Sequence, residues 1–194
     1  MNGMADDTKS DLRRECRAHR AARQGARSEA DPERLADFFL GHVSPCPNSR
    51  IAGYWPIDAE IDVLPLLGRL NRLGYDLCLP VVVDRRRTLS FRSWRPSDPL
   101  EAAAFGTRVP LEGSPEVVPQ MLIVPVIAFD NRGHRLGYGG GYYDCTLSAL
   151  ASTGSVSVGV AFEDQHIEKV PTEPHDMALD WIITEERARR TCPS

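Results

Sequence analysis

Residues 121–144 decide the fold, and they read MLIVPVIAF over 121–129 and DNRGHRLGYGGGYYD over 130–144. The first part is a continuous apolar run, as expected of a central strand buried on both faces of a parallel sheet. The second part is glycine-rich, and a helix is predicted after it over 142–151. A strand, a glycine-rich turn and a helix in this order are typical of a ligand-binding turn at the carboxyl end of a strand in an open α/β sheet.

The rest of the chain alternates between apolar strands and helices. Further helices are predicted over 8–27, 31–42 and 61–73. Further strands are predicted over 50–55, 75–83, 89–94, 156–162 and 179–184, with a loop-rich excursion over 96–119. The strand over 89–94 is expected at an edge or antiparallel to its neighbour, and the three arginines over 85–87 are expected in a turn. The alternation predicts an α/β layered fold with a largely parallel sheet.

Composition limits the class of protein. The chain has 194 residues, of which 42% are hydrophobic and 26% charged, so we expect a single domain over 1–194 with flexible ends at 1–8 and 188–194. There is no apolar run of about 18 residues and no apolar signal segment, so neither a membrane span nor secretion is expected. The net charge of −4 argues against general nucleic-acid binding. The five cysteines form no CxxC pair, which fits a reducing cytoplasm better than a disulfide framework or a zinc site.

Lysine is rare in this chain. Lys9 and Lys169 stand against 21 arginines. A compositional bias explains this imbalance, and selection of arginine for phosphate or carboxylate ligands is the alternative. Arginines crowd the first predicted helix, which has little apolar surface and is therefore expected on the outside of the domain.

The glycine-rich stretch has the chemistry of a phosphate-binding loop. Four of the five residues over 137–141 are glycines, which leave backbone N–H groups unshielded and allow positive φ angles. The N-terminus of the following helix, together with Arg132 and Arg135, adds positive charge. The stretch lacks the lysine of a P-loop, and Tyr142 stands where a dinucleotide fingerprint needs its third glycine. A flexible turn with incidental glycines is the alternative, which the flanking strand, helix and arginines disfavour.

The run RLGYGGGYYD (135–144), which follows VPVIAFD (124–130), resembles the signature of the 5-formyltetrahydrofolate cyclo-ligase family. Four further segments resemble motifs of this family in the family's order. They are KSDLR (9–13) with Arg20 beyond it, YWPIDAEID (54–62), AFEDQ (161–165) and PTEPHD (171–176) with LD and IIT after it. Five ordered motifs over residues 9–184 are far more specific than the glycine-rich stretch alone.

The resemblance implies a three-layer α/β/α Rossmann-like sandwich. It implies an enzyme that uses ATP and Mg²⁺ to convert 5-formyltetrahydrofolate to 5,10-methenyltetrahydrofolate, with release of ADP and phosphate. In this reaction the formyl oxygen is phosphorylated and the folate N10 attacks the activated carbon. The expected partner is the small-molecule folate, with or without a polyglutamate tail. No nucleic acid or membrane is expected as a partner, and the chain is expected to be a monomer.

Site residues follow by match of position. Lys9 and Arg13 are expected to contact ATP, and Trp55 and Glu60 to contact the folate. The stretch expected to hold the ATP phosphates comprises Arg135, Leu136, Gly137, Tyr138, Gly139, Gly140, Gly141, Tyr142 and Tyr143. Within it, the residues that also face the folate are Tyr138, Gly139, Gly140, Gly141 and Tyr142. Those expected to act catalytically at the formyl group are Arg135, Gly139, Gly140 and Tyr143, and those expected to hold or orient Mg²⁺ are Asp144 and Asp176.

Simpler structural roles remain open for several of these residues. Trp55 is either a core residue or a stacking surface for the pterin. Glu60 either starts the helix after it or accepts pterin N–H groups through both oxygens. Asp144 is either a carboxylate favoured by the helix dipole or a Mg²⁺ ligand, and Asp176 is otherwise a turn residue.

Two positions depart from the pattern of some family members. Tyr138 stands where some carry Arg, and Gly140 where some carry Lys, so Arg132 or Arg135 would have to neutralise more of the phosphate charge. Two other functions are also considered. One is a sugar-phosphate or CoA-ester enzyme of the same fold class, and the other is an RNA-binding protein that uses the first helix, which the acidic net charge opposes.

Overall fold

A computed structural model of the chain describes residues 3–83 and 88–191, without the side chains of residues 3–7 and 105. The helices are α1 (Gly3–Ala22), α2 (Asp31–His42), α3 (Leu64–Arg72) and α4 (Tyr142–Leu150). The strands are β1 (Arg50–Ala52), β2 (Asp76–Val81), β3 (Ser90–Ser93), β4 (Leu100–Ala102), β5 (Arg108–Pro110), β6 (Met121–Pro125), β7 (Ala128–Phe129), β8 (Arg135–Leu136), β9 (Val156–Val160), β10 (Trp181–Ile183) and β11 (Ala188–Arg190). The three arginines at 85–87 lie outside the described residues.

Seven strands form one sheet in the order β11-β10-β9-β6-β1-β2-β3. The five inner strands run parallel to one another. Strands β3 and β11 lie at the edges, antiparallel to their neighbours. The largely parallel sheet is confirmed, as is the edge position predicted for the strand over 89–94.

Helices cover both faces of this sheet. Consecutive strand residues point to opposite faces, and Leu122 and Ile123 of β6 accordingly belong to two different apolar clusters. Helices α2 and α3 cover one face with side chains such as Phe39 and Leu70, which are fully buried. Helix α4 covers the other face with Leu147. The α/β/α three-layer architecture is therefore confirmed.

The direction of strand succession reverses between β1 and β6. Strand β1 is followed outward by β2, whereas β6 is followed in the opposite direction by β9 and β10. Ligands of open α/β sheets bind outside the carboxyl ends of the strands at such a reversal. A binding site is therefore expected where residues 53–63 leave β1 and residues 126–141 leave β6.

The apolar run over 121–129 is not one strand, and this prediction was wrong. Strand β6 ends at Pro125, and β7 pairs with β8 in a separate two-stranded ribbon. The buried Asp130 carboxylate accepts the N–H groups of Arg132 and His134, which closes the turn between the two strands. The run stays apolar because the ribbon packs in a third apolar cluster, with Val170 and with α1 beside it.

Regular elements lie in both segments expected to be flexible, 1–8 and 188–194, and the flexibility itself stays a prediction. Helix α1 already begins at Gly3, within the segment expected to be flexible. Strand β11 lies in the segment expected to be flexible after residue 188, because pairing with β10 satisfies backbone groups that the sheet edge would leave free. The excursion over 96–119 contains the hairpin of β4 and β5. Within the described residues, no helix is long and apolar enough to cross a membrane.

Candidate active site

The residues 137–141, called the glycine loop below, connect β8 to α4. Gly139 and Gly141 have φ angles of +94° and +70°, a left-handed conformation that side-chain-bearing residues rarely adopt. Gly141 immediately precedes α4, so the loop leads directly into the N-terminus of that helix. Helix N-termini carry unpaired N–H groups and partial positive charge. The local geometry therefore suits an anion.

Helix α1 brings an arginine to this loop. The Arg13 Nε donates a hydrogen bond of 3.0 Å to the carbonyl oxygen of Gly137. Its guanidinium atoms lie 3.6–3.7 Å from the position that a Cβ on Gly139 would occupy. A Cβ at position 139 would thus be in ordinary van der Waals contact with the guanidinium, so the positive φ rather than the space favours glycine there. A guanidinium carries five N–H donors, so contact with the loop carbonyl is compatible with binding a phosphate as well.

Lys9 connects α1 to the segment 171–177. Its side chain is 6% exposed, and its Nζ lies 2.6 Å from Asp176 Oδ2 and 2.8 Å from Glu173 Oε2. Burial alone would lower the pKa of Lys9, but its hydrogen bonds to Asp176 and Glu173 outweigh burial and raise that pKa. Burial would raise the pKa of Asp176, and the Lys9 hydrogen bond instead lowers it. Lys9 and Asp176 are therefore both charged at neutral pH.

The residues expected to hold Mg²⁺ lie in two separate groups of contacts. The Oδ1 of Asp144 accepts hydrogen bonds from the Nη2 of Arg135 at 2.7 Å and from the N–H of Met177 at 3.1 Å. Asp176 instead belongs to a cluster with Glu173 and His175, whose potential ligand atoms lie within 4.8 Å of one another, and Asp144 is not a member of it. Carboxylate oxygens are the ligands that Mg²⁺ prefers, so the donor type fits. A shared role of Asp144 and Asp176 at one ion stays a prediction.

Glu60 contacts the glycine loop through Tyr138. Its Oε1 accepts the hydroxyl of Tyr138 at 2.6 Å, and its Oε2 accepts the N–H of Ile57 at 2.9 Å. The Tyr138 hydroxyl in turn accepts the Nη2 of Arg20 at 2.8 Å. Burial raises the pKa of Glu60, although these hydrogen bonds and the Arg20 charge oppose the rise. The glycine loop thus contacts the expected folate contact Glu60 as well as Arg13.

Other expected site residues are placed as follows. Trp55 is partly buried, and the guanidinium carbon of Arg108 lies 5.5 Å from the centre of its ring. Leu136 is 1% exposed and belongs to the third apolar cluster, so its side chain faces the core rather than a ligand. Tyr142 packs its ring beside Gly140, 2.8 Å from where a Cβ would lie.

Tyr143 and the two arginines before the loop are all held by contacts within the protein. Tyr143 packs against the apolar cluster that α4 covers, and burial raises its pKa. Arg132 pairs with the buried Asp130 at 2.7 Å, and Arg135 pairs with Asp144. Both arginines are therefore engaged by carboxylates, whereas Arg13 and Arg20 of α1 donate hydrogen bonds to residues of the glycine loop.

Neither Arg20 nor Glu173 was predicted from the sequence as a binding, catalytic or metal-ligating residue. Arg20 is 2% exposed although it lies on a helix expected to be external. Glu173 lies three residues before Asp176, inside the PTEPHD segment, and shares Lys9 with it. The sequence signal for each residue was its place within a family motif. The spacing of apolar residues predicts which face of a helix is buried, but it does not predict that a charged side chain is buried.

These features define a class. The chain is an α/β protein with a glycine loop at the strand reversal of a parallel sheet, and its arginine-rich first helix contacts that loop through Arg13 and Arg20. The family model for the 5-formyltetrahydrofolate cyclo-ligase family matches residues 5–185. The chain belongs to this family, which favours a ligase over the sugar-phosphate and CoA-ester alternatives.

Individual relatives agree with this membership. The chain is 32% identical to the 5-formyltetrahydrofolate cyclo-ligase of Mycolicibacterium smegmatis, over 95% of this chain and 97% of that protein. It is similar in structure to the 5,10-methenyltetrahydrofolate synthetase of Aquifex aeolicus, with 31% identity, a TM-score of 0.69 and 92% of each chain covered. The synthetase of Mycoplasma pneumoniae shares the fold with a TM-score of 0.70 at 22% identity, over 91% of this chain and 98% of that one.

Proposed function

We propose that this chain catalyses the ATP-dependent cyclisation of 5-formyltetrahydrofolate to 5,10-methenyltetrahydrofolate, with release of ADP and phosphate. One observation carries the proposal beyond family membership. Two adjacent residues of the glycine loop contact an expected ATP contact and an expected folate contact. The carbonyl of Gly137 accepts a hydrogen bond from Arg13, and the hydroxyl of Tyr138 donates one to Glu60. A phosphate bound by Arg13 and a folate bound by Glu60 would therefore both lie beside this part of the loop.

The nucleotide side is assigned to Arg13, Lys9 and the glycine loop. When bound, ATP would supply the phosphoryl group that activates the formyl oxygen, with Mg²⁺ to screen its charge. Phosphoryl transfer requires positioning and positive charge rather than a protein nucleophile. The loop N–H groups and the Arg13 guanidinium provide both, at the N-terminus of α4.

The metal side is assigned to Asp144 and Asp176. Both carboxylates are held by cations in this structure, Asp144 by Arg135 and Asp176 by Lys9. A carboxylate fixed in this way needs little reordering to accept an ion beside the phosphates, because Mg²⁺ is usually bound by one or two carboxylates and phosphate oxygens. Arg135 and Lys9 would then hold the ligands in place as well as balance their charge.

The folate side is assigned to Glu60 and Trp55. Each Glu60 oxygen already accepts one hydrogen bond, and a carboxylate oxygen can accept two. Both oxygens can therefore accept a pair of pterin N–H groups. Trp55 lies in the same segment after β1, where its partly buried ring can stack on a flat heterocycle.

The test mixes the purified protein with 5-formyltetrahydrofolate, Mg²⁺ and ATP and follows the absorbance of the methenyl product. We expect one ADP for each methenyl product and no conversion in a control without ATP. A rate no higher than the control without ATP would refute the proposed activity.

We also propose that the chain acts as a cytoplasmic monomer. Support comes from the four described cysteines, which are all unpaired, as is usual in a reducing compartment. Light scattering coupled to size exclusion should give a mass near the 21.5 kDa of one chain. A stable dimer would contradict the monomer, and recovery of the native protein in a secreted fraction would contradict the location.

A further inference from the structure

Arg20 is the buried charge in α1 that the proposed function leaves unused. Its side chain is 2% exposed, and its Nη2 donates to the Tyr138 hydroxyl at 2.8 Å. Its buried Nη1 has no hydrogen-bond partner among the described residues. An unpartnered buried donor costs free energy, so apolar packing alone would not favour an arginine at this position.

The contact with Arg20 fixes the direction of the next hydrogen bond. A guanidinium only donates, so the Tyr138 oxygen must accept from Arg20. The single hydroxyl proton of Tyr138 is then free to be donated, and Glu60 Oε1 is its acceptor at 2.6 Å. An ionised carboxylate only accepts. The chain Arg20 to Tyr138 to Glu60 therefore has one polarity, with every donor and acceptor assigned.

The Tyr138 ring is held in place by the same helix. The guanidinium carbons of Arg17 and Arg20 lie 5.5 and 5.7 Å from the ring centre, within the range of cation–π contacts. Arg17 also pairs with Asp58, two residues before Glu60 in sequence, at 3.2 Å. The ring is 39% exposed, so these contacts and its hydroxyl bonds, rather than core packing, orient it.

We infer that Arg20 is a positioning residue of the folate site. Through the Tyr138 hydroxyl it holds Glu60 Oε1, while the N–H of Ile57 holds Oε2. The plane of the carboxylate is thereby fixed with one acceptor site left on each oxygen. This inference rests on the proposed role of Glu60 as the folate contact. Tyr138 can connect Arg20 to Glu60 because its hydroxyl oxygen accepts a hydrogen bond from Arg20. An arginine at position 138 could not do so, since a guanidinium only donates.

The test measures the affinity for 5-formyltetrahydrofolate by calorimetry, with a non-hydrolysable ATP analogue and Mg²⁺ present. Arg20→Met and Tyr138→Phe should each raise the folate Kd about tenfold, as expected for loss of a hydrogen bond to a charged group. The double variant should bind no more weakly than Tyr138→Phe, because both changes break one chain of contacts. Arg20→Lys, which keeps a donor, should fall between wild type and Arg20→Met. The affinity of the Arg20 variants for the ATP analogue should stay within about twofold of wild type, since Arg20 donates to the Tyr138 hydroxyl and not to the backbone of the glycine loop.

Arg23→Met is the matched control, since Arg23 lies just beyond α1 and pairs with Asp164 instead. It should leave the folate Kd unchanged. Unchanged folate affinity in Arg20→Met and Tyr138→Phe, or additive losses in the double variant, would overturn the inference. If Arg20→Met does not fold, Tyr138→Phe and Arg20→Lys carry the same test. Wild type that binds folate without converting it would refute the proposed activity alone, whereas wild type that does not bind folate would overturn both.

Discussion

Individual charges join α1 to the rest of the site, in addition to its apolar contacts with the ribbon of β7 and β8. Lys9 and Arg20 are the two most buried charged side chains described in that helix, with 5% and 2% of their surface exposed. Each reaches a different segment, Lys9 the residues 173–176 and Arg20 the glycine loop. Ion pairs and charged hydrogen bonds depend on geometry more than on area. Single substitutions here should therefore separate ATP binding from folate binding.

Lys9→Ala should impair use of ATP strongly, and Lys169→Ala should barely affect it. Lys9 faces two part-buried carboxylates, and breaking such a pair costs about 3 kcal/mol of folding free energy. Lys169 is exposed and offers a matched control. The measurements are the KM for ATP and the unfolding temperature of both variants. Equal, small effects on the KM would show that the scarcity of lysine reflects composition alone.

Glu60→Gln should gain stability relative to wild type as pH rises from 4 to 7, and it should weaken folate binding because glutamine keeps only one acceptor oxygen. Burial raises the pKa of Glu60 above its unfolded value, so the folded state disfavours the ionised form. The stability that wild type has below the unfolded pKa is therefore lost as pH rises through the folded pKa. Gln carries no such penalty, and thermal unfolding should show a larger advantage of the variant at pH 7 than at pH 4. A stability difference between the variant and wild type that does not change with pH would contradict this.

At the scale of elements, the ribbon of β7 and β8 determines where the glycine loop lies. The loop follows β8 directly, and the ribbon packs against α1 in the third apolar cluster. Its turn approaches the segment before β10 closely, because the N–H of Leu179 donates to the carbonyl of Gly133 at 2.9 Å. A disturbed turn should therefore affect both stability and the loop.

Gly133→Ala should destabilise the protein by about 3 kcal/mol, since a strained φ and a close contact act together. Gly133 has a φ of +82°, and a Cβ there would lie 2.5 Å from the Leu179 carbonyl oxygen. Backbone at that distance cannot move aside cheaply. Gly113→Ala is the control, because a Cβ there meets nothing within 4 Å. Chemical denaturation measures both, and equal stabilities of the two variants would refute the expected crowding.

The sequence predicted elements better than their junctions. Helices α2 and α3 and the edge position of β3 follow from periodicity and from the glycine at 74, which has a φ of +90°. The ribbon was missed because an apolar run indicates burial, not continuity of a strand. The buried charges of α1 were missed because amphipathicity is judged from apolar stripes. The site residues were predicted from the order of the family motifs. Their hydrogen bonds and ion pairs with one another were visible only in the structure.

At the scale of the whole molecule, the sheet brings distant motifs together. The segments after β1, β6 and β9 all leave the carboxyl ends of parallel strands near the reversal of strand order. Lys9 and Asp176 are 167 residues apart in sequence and 2.6 Å apart in space. A site assembled in this way from separate segments depends on the packing of α1 against the glycine loop and residues 173–176. Nucleotide binding and helix docking should therefore be coupled.

The central claim is that the glycine loop joins an ATP phosphate to the formyl oxygen of the folate. The most direct measurement uses 5-formyltetrahydrofolate labelled with ¹⁸O in the formyl group, and follows the label by mass spectrometry of the released phosphate. Because the formyl oxygen is phosphorylated and then leaves with the phosphate, we expect each inorganic phosphate to carry one formyl oxygen. Methenyl product formed together with unlabelled phosphate would contradict the claim.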